Sequence, residues 1–124
     1  VDIIQLEPTA CGGILETVKR AGVAELANIL LAPHHACSPV ALCACAQIDA
    51  AVPNFLIQEV NDDVTSSFNQ DLYSPLPTIA NGYMELPAGP GIGIDLNEEA
   101  AATYPPKDFD RPVILKPDGS VGLE

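Results

Sequence analysis

The first sixty residues alternate short apolar runs with stretches of helical period. Asp2 to Gln5 is β-branched and apolar and reads as a strand, followed by the turn-rich EPTACGG. From Ile14 the apolar positions recur at Ile14, Val18, Ala21, Leu26 and Ile29, with Glu16, Lys19 and Arg20 mostly on the opposite side, which predicts an amphipathic helix. Ile29 to Ala32 reads as a second short strand, stopped by Pro33. Ser38 followed by Pro39 is a helix start, an N-cap with proline at the first helical position. That helix runs through ALCACAQIDAA and ends before Pro53, and Phe55 to Glu59 (FLIQE) is a third apolar strand.

Strand, helix, strand, helix, strand with short links is the rhythm of a parallel sheet, so the expected class is α/β. Parallel strands are normally buried on both faces, and these runs read that way. In such sheets ligands meet the carboxyl ends of the strands. The residues just past those ends are Glu7, His34 with His35, and Glu59, a set of acid, histidine pair and acid. Three strands cannot close a barrel, and an open three-stranded sheet leaves apolar edges. The chain is therefore expected either to pair with a partner or to belong to something larger. Its opening on Val1 in mid-pattern favours the second.

After Val60 the pattern changes. Eight of the twelve prolines lie from Pro75 onward, with glycines between them, and helical periodicity is scarce. GYMELPAGPGIGIDL reads as short extended pieces joined by turns, and LNEEAAATY as about two helical turns. GIGID lacks the preceding strand and following helix N-terminus that a phosphate cradle needs, so it is read as a turn. The expected division is residues 1–60 as strand–helix–strand–helix–strand and 61–124 as an irregular covering segment.

Charge narrows the partners. The net charge is −12, and no Lys or Arg stands between Arg20 and Lys107. Nucleic acid and anionic membrane surfaces both require a basic footprint that is missing. No apolar run approaches the length of a membrane span, and no basic segment precedes an apolar one as in an export signal. The four cysteines, Cys11, Cys37, Cys43 and Cys45, contain no Cys-x-x-Cys pair, and Cys43 and Cys45 point to different faces of their helix. They are expected to be reduced and packed, as in a cytoplasmic protein.

LLAPHHACSP (Leu30 to Pro39) admits three chemistries: a Cys/His metal cluster through His34, His35 and Cys37, a base at a strand end, or plain packing. A base working near neutral pH is well served by histidine, and a carboxylate on its second ring nitrogen fixes the tautomer.

The segments VDIIQLEPTACGGILE, LLAPHHACSPVALCACAQIDAAVPNFLIQE and NGYMELPAGPGIGIDLNEEA together resemble, in order and over nearly the whole chain, the C-terminal part of the enolase superfamily. More narrowly, they are similar to mandelate racemase-like acid-sugar dehydratases of the galactonate and gluconate type. The resemblance implies that residues 1–60 are the last three strands of a TIM-type (β/α) barrel and that residues 61–124 return to a capping domain. It implies abstraction of the proton α to a carboxylate, an enediolate held on Mg²⁺ and loss of a β-hydroxyl, chemistry known for this superfamily. By the same resemblance His34 is the base and Glu7 its orienting acid, in place of the usual aspartate. Glu59 contacts a substrate carboxylate oxygen, protonated through burial near other carboxylates, and His35 is a weaker substrate-binding candidate. Cys37 is assigned to packing. The three Mg²⁺ ligands are expected before Val1, so no metal ligand is assigned here. The implied partners are an acid-sugar substrate, the rest of the barrel and cap, and further copies in a homo-oligomer. Racemisation and cycloisomerisation share the first step and stay open, as does a non-catalytic assembly module.

Overall fold

Strand β1 (Ile3–Ile4) pairs in parallel with β2 (Leu30–Leu31), Ile3 opposite Leu30 and Ile4 opposite Leu31. The computed structural model describes residues 1–61, 63–107 and 115–120. Part of the expected covering segment, residues 62, 108–114 and 121–124, thus lies outside the described residues. The third expected strand joins the same layer more loosely. Phe55 forms a parallel bridge with Leu31, and hydrogen bonds from Leu56 N to Leu31 O and from Glu59 N to Pro33 O continue the alignment. It is an extended run beside β2 rather than a regular strand.

Side chains alternate across a strand, so Ile4 and Leu31 share one face and Ile3 and Leu30 the other. The first face is the core: Leu31 packs with Ala21, Ile48 and Val52, and Ile4, Leu6 and Val18 close around them. On the other face Ile3 and Leu30 are 46% and 39% exposed, and Leu56, one residue past the Phe55–Leu31 bridge, is exposed as well. The expectation of strands buried on both faces is therefore corrected. Helices cover one face only, and the other is open among the described residues.

EPTACGG is not a plain turn but contains one helical turn, α1 (Pro8–Cys11). Proline at its first position fits because that N–H has no partner in a helix. Gly12 ends α1 at φ 98°, and Gly13 opens α2 (Ile14–Leu26) at φ 95° and ψ −176°. Both conformations favour glycine, the second almost to the exclusion of other residues.

The buried residues of α2 are Thr17, Ala21 and Ala24, spaced by four and three, while Ile14 and Leu26 are exposed. The expected stripe is thus shifted, because α2 packs through small side chains against the sheet and α3 (Pro39–Ala51). α3 begins at Ser38 and Pro39 as expected and buries Ala41, Leu42, Cys43, Cys45 and Ile48. Asn54, nearly buried, donates from Nδ2 to Ala21 O (3.1 Å) and Ile29 O (2.9 Å), tying the third run to α2 and to the start of β2.

The second half holds more regular structure than its prolines suggest. Helix α4 (Ser67–Leu72) is capped by the Ser66 hydroxyl, which accepts from Asn69 N. β3 (Tyr73–Ser74) pairs antiparallel with β6 (Asp95–Leu96), and β4 (Ile79–Ala80) with β5 (Tyr83–Met84) through a turn at Asn81 and Gly82, both at positive φ. Asn-Gly is the dipeptide that such hairpin turns select. Gly91-Ile92-Gly93 is a turn, with Gly93 N bonded to Pro90 O. α5 (Glu98–Ala102) starts on the Asn97 cap, and two acids in its first turn suit the helix dipole. Gln47 Nε2 donates to Pro87 O at 3.0 Å, joining the two halves.

Candidate active site

Glu7 stands one residue before α1, and its carboxylate divides its work between two neighbours. Oε1 accepts from Thr9 Oγ1 at 2.8 Å and from Thr9 N at 3.3 Å, which caps α1. Oε2 lies 2.9 Å from His34 Nδ1. The extra methylene of glutamate therefore does not send this acid elsewhere. Burial raises the Glu7 pKa, but the hydrogen bonds from His34 and Thr9 outweigh it, and the group is held below its ordinary 4.5.

An ionised carboxylate only accepts hydrogen bonds, so Nδ1 carries the ring proton of neutral His34 and Nε2 holds the lone pair. The His34 side chain is 45% exposed against 12% for Glu7, so the imidazole reaches outward from a covered anchor. β2 supplies the placement: His34 N donates to Leu6 O at 3.2 Å, which sets the end of β2 beside the end of β1.

Glu59 reaches the same loop from the third run. Its Oε2 accepts from the backbone N–H of His35 at 3.3 Å. Glu59 is exposed among the described residues, and its carboxylate acts as an acceptor in this contact.

His35 does not face outward with its neighbour. The residue is 1% exposed, and Nε2 donates to Ser38 O at 3.2 Å, leaving Nδ1 buried with no partner among the described residues. The weaker substrate-binding candidate thus fastens the start of α3 through its ring.

Cys37 was assigned to packing but is exposed, with Sγ 3.5 Å from Thr9 Oγ1. Among the four free cysteines only Cys43 and Cys45 are buried, and burial pushes both thiols up, that of Cys45 to about 12. A Cys/His metal cluster finds no support in this arrangement. Among the described residues no three or more His, Cys, Asp or Glu side chains converge on a point where a metal could sit.

Two features escaped the sequence reading. Thr9 is a partner of the acid, and the Glu-Pro-Thr order would have signalled it once α1 was recognised as a capped turn. The other is Asp49, whose Oδ1 is buried with no partner among the described residues and whose pKa burial raises from 3.8 to about 7. It lines a groove of about 690 Å³ with Phe55, Leu56, Ile57 and Tyr83, on the outer side of the third run. This groove is separate from the strand-end cluster, and amphipathic spacing alone gives no hint of it.

Comparison with known proteins places this geometry. The chain is 34% identical over 128 residues to a D-galactonate dehydratase of Ralstonia nicotianae, covering 96% of this chain and 33% of that protein. A solved enolase from Pantoea ananatis with bound D-gluconate and magnesium superposes with a TM-score of 0.75 at 32% identity, over 88% of this chain and 26% of that one. A putative L-alanine-DL-glutamate epimerase from Burkholderia xenovorans, bound to magnesium and fumarate, superposes with a TM-score of 0.80 at 33% identity, over 86% of this chain and 26% of that one. The chain thus spans about a quarter to a third of the length of the proteins that it matches. Residues 1–100 match the family described as enolase C-terminal domain-like, and the chain belongs to that family.

Proposed function

We propose that this chain is the part of an acid-sugar dehydratase that carries its histidine base, and that catalysis requires the rest of the parent protein. The observation that carries the reading is the 2.9 Å contact between His34 Nδ1 and Glu7 Oε2 at adjacent carboxyl ends of parallel strands. Residues 1–60 are then the last three strands of a (β/α) barrel and 61–124 the segment that returns to the cap. The open apolar face of Ile3 and Leu30 supports this, since barrel strands bury that face inside the closed barrel.

In the reaction His34 Nε2 takes the proton from the carbon α to the substrate carboxylate. The C–H bond breaks, and its electron pair moves into the carboxylate. Glu7 holds the ring in the tautomer that leaves Nε2 free and stabilises the imidazolium that forms. Expulsion of the β-hydroxyl as water needs a proton, and the imidazolium can return the one it took. Glu59, anchored in the same loop, faces the substrate carboxylate end. Mg²⁺, bound in the Pantoea ananatis structure, would be held by parts of the parent outside this chain. A reduced, cytoplasmic setting is in keeping with the four free thiols, and a homo-oligomeric parent belongs to the same reading.

Epimerisation or racemisation is the second reading, favoured by the similarity to the Burkholderia xenovorans epimerase, and it shares the proton-abstraction step. In the intact parent, His34→Asn is expected to abolish solvent deuterium exchange at the α-carbon of D-gluconate or D-galactonate while leaving metal binding unchanged. Exchange at the wild-type rate would overturn the role of His34.

A further inference from the structure

We propose that Thr9 is the positioning residue of the His34–Glu7 pair, locking the long Glu7 carboxylate so that His34 is held in its Nδ1–H tautomer. The inference rests on the reading of His34 as the base and adds a residue that this reading does not require. Glutamate has one more rotatable bond than aspartate, and a free side chain of that length would sample several positions of Oε2. Thr9 removes that freedom. Its hydroxyl and backbone N–H both bind Oε1, so the plane of the carboxylate is fixed and Oε2 is left for Nδ1. The backbone contact belongs to the capped turn α1 and is available to any residue at this position. The hydroxyl contact is the shorter of the two, 2.8 Å against 3.3 Å, and only serine or threonine can supply it with this geometry.

The far side of the hydroxyl is also constrained. Cys37 Sγ stands 3.5 Å from Thr9 Oγ1, so a thiol donor can occupy the oxygen's lone pair while its proton goes to Glu7. The result is a hydrogen-bonded row, Cys37–Thr9–Glu7–His34, running from the loop before α3 across the start of α1 and back to the end of β2. Donation runs from Cys37 to Thr9 to Glu7 on one side and from His34 Nδ1–H to Glu7 on the other, so the carboxylate is the acceptor on which the row converges.

The chain has only two histidines, and the structure assigns them opposite tautomers, which makes the inference directly readable. His34 presents Nδ1–H to a carboxylate, and His35 presents Nε2–H to the Ser38 carbonyl. Nitrogen NMR of the 124-residue chain labelled with ¹⁵N-histidine distinguishes the two at a pH where both rings are neutral. Thr9→Val, which keeps shape and removes the hydroxyl, is expected to turn His34 from the Nδ1–H form to a mixture while His35 stays unchanged. Thr9→Ser is expected to restore the wild-type pattern, and Thr9→Ala repeats the comparison should the valine variant unfold. In the parent enzyme the same loss of one hydrogen bond to a charged group is expected to lower kcat about tenfold, with KM changed little.

Glu7→Leu, which removes both carboxylate acceptors, separates the pairing from the role of Thr9. If it leaves the His34 tautomer untouched, the His34–Glu7 pairing itself fails. If it scrambles the tautomer but Thr9→Val and Thr9→Ala do not, the pairing stands and the role of Thr9 is overturned. A serine variant as scrambled as the valine variant also overturns it, since packing of α1 and not the hydroxyl would then be responsible.

Discussion

At the scale of single residues, the candidate site depends on how one carboxylate is shared. Glu7 must bind Thr9 through one oxygen and His34 through the other, and the side-chain length fits both. Shortening it by Glu7→Asp draws the carboxylate back toward α1 and breaks at least one contact, so the parent's kcat on its acid-sugar substrate is expected to fall about tenfold or more, the worth of one hydrogen bond to a charged group. The native acid is held below 4.5, so its contribution to stability is present above that value and is lost as pH falls through its lower folded pKa. The adjacent histidines illustrate how little identity alone says. One is 1% exposed and the other reaches outward, although the sequence offers them as a pair.

At the scale of elements, the strand-end cluster exists because turns place it. Gly12 and Gly13 let α1 stop and α2 start across only two residues, which keeps Glu7 at the sheet edge facing His34. Gly13→Ala forces a side chain into a backbone region essentially closed to it and is expected to cost about 1–3 kcal/mol, measured by urea unfolding of the chain. The strands, α2 and α3 were readable from apolar spacing and from Ser38-Pro39. α1 and α4 were not, because a four-residue and a six-residue helix carry too few turns for periodicity to register. Both are instead defined by side-chain caps, Glu7 and Ser66, which is chemistry of one residue and not of a pattern.

At the scale of the whole molecule, the chain leaves apolar surface that a self-sufficient domain would cover. Among the described residues one sheet face is open, and the groove beside the third run holds Asp49 and Gln58 acceptors that are buried and find no partner there. Such groups are costly unless something supplies donors. Burial lifts Asp49 from 3.8 to about 7, so between those pH values the unfolded chain has released a proton that the folded chain keeps. Stability of the 124-residue chain is therefore expected to fall as pH rises from about 4 to about 7 and to level off above. Asp49→Asn should flatten that slope in urea midpoints collected across the range, and an unchanged slope would assign it to other groups. The share of the matched proteins that this chain spans, a quarter to a third, is in keeping with the open surface.

The sequence by itself determined the order of strands and long helices, the residues at the strand ends and the family. Those follow from local spacing, from proline and glycine chemistry and from motifs that stay contiguous along the chain. Only the tertiary structure decided which histidine turns outward, that Glu7 reaches His34 from 27 positions away, and that Thr9 and Cys37 join them. It also decided that Glu59 is exposed and that a lone aspartate in an apolar helix lines a groove. The physical reason is common to all of these. Each depends on a contact between segments distant in sequence, and neither propensity nor periodicity encodes the direction in which a side chain meets another element.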